Sequence, residues 1–145
     1  MYMFVLAIGL AGAMLSARSL VDQIDKNTEG VALKGFDPVA YFTESKPVKG
    51  SQQFEYEWMG AKWWFANASD RDRFASTPKE YAPQFGSYCA WAVSNNYTAD
   101  GDPEAWKIVK GKLYINYSKT VQKKWEQDLD KRIEDGVHNW PTLHR

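Results

Sequence analysis

Few side chains in this sequence could carry out chemistry. Cys89 is the one cysteine, and His138 and His144 are the two histidines. A lone cysteine forms no intrachain disulfide and excludes a multi-cysteine zinc or iron–sulfur site. As a soft thiolate, Cys89 could bind copper or another soft metal, with His138 as a nitrogen ligand. The same pair could act as nucleophile and base in a redox protein or enzyme. Two features weigh against both readings. Cys89 lies in the apolar run 88–94, where a free cysteine usually serves as a small core residue. No basic residue follows it before residue 100 to lower its pKa. His138 reads as a surface or packing residue after the expected helix stop at Gly136, and His144 falls in a tail expected to fray.

Other chemistry is thinner still. Asp100-Gly101-Asp102-Pro103-Glu104 places carboxylates at alternate positions. A calcium loop needs about 12 residues and a closing bidentate Glu, so this stretch reads as a solvated turn. The sequence contains no Gly-x-Ser-x-Gly elbow, nucleotide-binding glycine loop or His-Glu-x-x-His. The most informative residues are rings. There are seven Trp, eight Tyr and seven Phe, which points to a core or cleft built from aromatics. Trp63, Trp64, Tyr88 and Trp91 are the candidate ligand or partner contacts, because binding sites are mostly apolar with a few polar groups. Trp63 and Trp64 are adjacent and must face opposite sides of a strand. Trp63 is expected in the core and Trp64 at a partner surface.

These residues sit on short elements. Residues 54–58 alternate apolar and charged types, Met59-Gly60 supplies a turn, and 61–66 return as a second strand. That register sets Glu57 opposite Lys62, Tyr56 opposite Trp63 and Phe54 opposite Phe65. Lys110-Gly111 repeats the device, with Ile108 facing Leu113 and Trp106 facing Ile115. Ser69 is expected to cap a short helix at 70–75, and Pro78 to open a turn through Tyr81. Residues 88–94 suit a short buried helix. Ser118 is expected to cap the longest helix, whose apolar stripe is Val121, Trp125, Leu129 and Ile133, with Gly136 as its stop.

The chain has 145 residues, one ordinary domain's length. Lys+Arg and Asp+Glu are both 18, and this balance argues against a nucleic-acid partner. Residues 1–17 carry no charge, and Met3 to Leu15 is an apolar run of signal-peptide type. It is shorter than the roughly 20 residues of a spanning helix. The expectation is a signal peptide or an N-terminal membrane anchor at 1–17, giving membrane contact if uncleaved. A linker or short helix at 18–32 and a domain at 33–141 would follow. The location expected is periplasmic, soluble or tethered.

The frame of the domain resembles the YHS family. Asp37-Pro38-Val39-Ala40, the Gly60 turn, Trp63-Trp64-Phe65-Ala66, Asp70, Phe74 and Pro78-Lys79-Glu80-Tyr81 follow the family pattern in order. The remainder to Pro141 is similar to exported stand-alone bacterial YHS proteins. Metal-associated members carry cysteines where this chain has Ala40, Ala66 and Asp70, and a methyl group cannot ligate copper or zinc. The resemblance therefore implies the scaffold and not the metal site. Taken together, the sequence reads as an α+β domain with two antiparallel hairpins, short helices and a long C-terminal helix behind an apolar segment. The expected function is a non-enzymatic exported binding or accessory module, engaging a protein partner, membrane complex or small ligand through aromatics. No cofactor is expected, and copper through Cys89 is the alternative.

Overall fold

The computed structural model describes residues 19–145. The expectations for residues 1–17 lie outside them. The fold is mixed α+β. In chain order it contains α1 (Ala40–Thr43), β1 (Ser51–Trp58), β2 (Ala61–Phe65), α2 (Ala68–Ser76), α3 (Pro78–Tyr81) and α4 (Ala90–Ser94). Then follow β3 (Asp102–Val109), β4 (Lys112–Asn116), α5 (Lys119–Glu126) and α6 (Leu129–Asn139). Each sheet is a two-stranded antiparallel hairpin, β1–β2 and β3–β4.

Both hairpins turn as the sequence predicts. Met59 and Gly60 have φ of 53° and 73°, and Lys110 and Gly111 have 51° and 77°. Two successive positive φ values match the twist of the flanking strands, and glycine at the second position relieves the strain. Tyr56 pairs with Trp63, Glu57 with Lys62, Ile108 with Leu113 and Trp106 with Ile115. The expected Phe54–Phe65 pair does not form. Phe65 lies opposite Ser51, and the strand bulges between Ser51 and Glu55. Gly50 lies against the Trp64 backbone beside this bulge, and a Cβ there would stand 2.4 Å from the Trp64 carbonyl carbon. The bulge leaves Phe54 packed on the core with Arg71 6.0 Å above its ring.

Two apolar cores lie on either side of β4. Leu113 and Ile115 face one, with Trp63, Phe65, Phe74, Val39 and Tyr41. Tyr114 faces the other, with Trp125, Phe85, Tyr88, Val93 and Leu143. Period-two alternation thus buries both faces of one short strand.

Three local expectations change. The cap of α2 is Asn67, not Ser69. Asn67 is extended, and its Oδ1 accepts from Asp70 N at 2.8 Å. The C-terminal helix is present as α6, but residues 119–126 form a separate helix, capped by Ser118 Oγ at 3.1 Å from Val121 N. A stripe repeating every four residues drifts about 40° per step on an ideal helix. The break at Asp128 (φ −140°, ψ 57°) resets that drift so that Trp125, Leu129 and Ile133 all reach the second core. Gly136 lies inside α6 rather than ending it. A Cβ there would meet Phe85 Cζ at 2.8 Å.

Residues 19–32 form no helix and are no free linker. Ile24, Val31 and Ala32 are buried, and Asp25 N donates to Gly86 O at 2.8 Å. The tail is docked as well: His144 bridges Val21, Arg145 N donates to Val21 O at 3.0 Å, and the His144 ring stacks 4.4 Å from Trp140. The folded unit therefore runs beyond 33–141 at both ends. No helix among the described residues is long and apolar enough to cross a membrane.

Candidate functional site

The four expected binding aromatics do not share a surface. Trp63 is fully buried, its Nε1 donates to Trp58 O at 3.1 Å, and its ring lies 5.1 Å from Phe74. Trp64 faces the other way, as adjacency requires, but it is half-buried rather than free. Its Nε1 donates to Glu55 Oε1 at 3.0 Å, and the backbone of Gly35 lies against its ring. Tyr88 is buried in the second core beside Trp140. Trp91 is covered by the Arg132 guanidinium at 4.2 Å, a cation–π contact. Polar partners or neighbouring groups already occupy these rings.

Cys89 and His138 are likewise in different surroundings. Cys89 is buried, with its Sγ 3.6 Å from Asn116 Oδ1, whereas His138 is exposed on α6. Burial pushes the Cys89 thiol pKa up. Among the described residues, no three His, Cys, Asp or Glu side chains are grouped to hold a metal ion. Cys89 is expected to resist iodoacetamide in the folded protein and to alkylate fully in denaturant, as mass spectrometry would read out. Rapid native labelling would instead mark an accessible thiolate.

A residue quoted in the sequence frame but not taken as a site residue anchors three amides beside the first core. Asp37 is fully buried. Its Oδ1 accepts from Val39 N at 2.8 Å and Ala40 N at 3.3 Å, and its Oδ2 accepts from Ala66 N at 2.9 Å. The Asp70 carboxyl also hydrogen-bonds it. Burial first, and then Asp70, raise the Asp37 pKa to about 7. Ala40, Ala66 and Asp70 thus converge on a carboxyl group that ties α1, the end of β2 and α2 together. The sequence signal was Asp37 before Pro38, because aspartate readily bonds the amides that follow it.

A large cleft lies elsewhere among the described residues. It measures about 880 Å³ and opens between α1, α3 and the turn of the second hairpin. Its apolar wall is Phe42, Trp58 and Tyr81, with the Phe42 and Tyr81 rings edge to face at 5.5 Å. All three rings are half-buried. Trp58 is fixed from behind by Trp63 at 5.9 Å and Phe74 at 5.7 Å. Arg73, Lys79, Glu80, Lys110 and Lys112 stand around it, and all are exposed. Of the rings on the first hairpin, only Trp58 contributes to this cleft. Phe42 and Tyr81 carry no local signal that would single them out. No family model, curated protein or solved structure matches the chain.

Proposed function

We propose that this protein is a non-enzymatic binding module of YHS-like frame, working through the Phe42–Trp58–Tyr81 cleft. The observation that carries this reading is the half-buried aromatic wall set in a large open cleft, held rigid by the core behind Trp58. Aromatic rings give a binding surface large contact area at little conformational cost. The cleft is open on its outer side, which suits an extended segment of a partner better than an enclosed small molecule. The uncharged start at residues 1–17 supports placing the module outside the cytoplasm or at a membrane.

Selection of random displayed peptides on the immobilised full chain tests the reading. Enriched peptides are expected to carry apolar or aromatic side chains and to lose binding about tenfold or more, roughly 1.4 kcal/mol, to the Phe42→Ser/Tyr81→Ser protein. A circular dichroism melt of that variant accompanies the measurement to exclude unfolding. Undiminished binding by the folded variant would remove the cleft from consideration.

A further inference from the structure

We infer that the occupant of this cleft is an acidic segment of a partner protein, with carboxylates flanking an apolar or aromatic side chain; this rests on the cleft being the binding site. The charge pattern carries the inference. The protein as a whole is neutral, with 18 basic and 18 acidic side chains. The cleft is not neutral: Arg73, Lys79, Lys110 and Lys112 line it, against Glu80 alone. None of these four cations has a carboxylate within 4.0 Å among the described residues, whereas Lys26, Arg71, Lys131 and Arg145 do. They come from three separate parts of the fold: the end of α2, α3, and the second hairpin, at its turn and at the first residue of β4. Four unpaired cations that surround a ring wall from different sides complement carboxylates spaced along a chain. They would steer such a chain into the cleft and fix its register.

Other occupants fit less well. The uncharged apolar residues 1–17 of this chain would leave all four cations without partners. A small inorganic anion would leave the rings unused. A nucleic acid would call for basic excess over a wider surface than one cleft.

The test uses fluorescein-labelled peptides of alternating Glu and Phe, with Lys–Phe and Ser–Phe counterparts, titrated with the full chain and read by anisotropy. The Glu–Phe peptide is expected to bind at least about tenfold tighter than either counterpart, and to lose that advantage in Lys79→Glu/Lys112→Glu. Both positions are exposed, and a circular dichroism melt of the variant checks that the fold is kept. Added sodium chloride should weaken the binding, because rim charges are screened. If the Ser–Phe peptide binds as well as the Glu–Phe peptide, and does so through the rings, the cleft stands and the acidic occupant falls. If no peptide binds, both readings fall. Displacement of the Glu–Phe peptide by inorganic phosphate, at ionic strength matched with sodium chloride, would make this a small-anion site and overturn the inference.

Discussion

Trp63→Ala is expected to lose about 3–5 kcal/mol of stability, the cost of truncating a large aromatic in a core that cannot collapse around the void. Four observations support the size of the loss. Trp63 is fully buried, its ring packs on Phe74 and on Trp58, and its indole N–H donates to the Trp58 carbonyl. The substitution leaves a void and a backbone acceptor without its partner. Trp64→Ala is expected to cost roughly 1–2 kcal/mol, from one hydrogen bond to Glu55 and partial burial over Gly35. Urea unfolding followed by far-ultraviolet circular dichroism measures both. Equal losses in the two variants would mean that the strand is covered as heavily on its outer face as on its inner one.

Asp37→Ala is expected to cost about 3 kcal/mol, because buried amides left without acceptors cost about 1–3 kcal/mol each. The amides of Val39, Ala40 and Ala66 all lose their acceptor together. The same carboxylate sets a pH dependence. Its pKa rises from an unfolded value of about 4 to about 7 in the fold. Between those values the folded chain holds the proton and the unfolded chain does not, so stability falls as pH rises through that window and levels above it. Asp25 acts in the same direction, raised to about 6 by burial against the pull of the Gly101 amide, with Asp100 adding to the rise. Asp70→Asn removes the second carboxyl from Asp37 and is expected to flatten the decline. Thermal melts from pH 4 to pH 8 check this. An unchanged slope in Asp70→Asn would show that burial alone, without Asp70, sets the Asp37 pKa.

The hairpins were legible because their signals are local. Period-two alternation and a Gly at the second turn position set which residues pair next to each turn. The bulge near Phe54 was not legible, since alternation carried back from the turn predicts an unbroken register through Phe54. The break between α5 and α6 was hidden for a similar reason. A four-residue stripe looks continuous in sequence, and its drift matters only when a fixed core must be met at both ends. Trp63 could be placed from its pairing with Tyr56. Trp64 could not, because its cover, Gly35, comes from a segment far away in the chain. The cleft was largely illegible. Phe42, Trp58 and Tyr81 come from three elements, and all the cations but Lys79, which shares α3 with Tyr81, come from others, so no window of sequence contains the constellation.

Strand β4 has a consequence for how the molecule melts. Leu113 and Ile115 complete one core, and Tyr114 completes the other. Neither core can lose that strand without opening the other, so among the described residues the two cores are expected to come apart together. The cleft shares this property, because its wall at Lys110–Lys112 is the turn that begins β4. A partner held there braces the whole cooperative unit rather than one lobe.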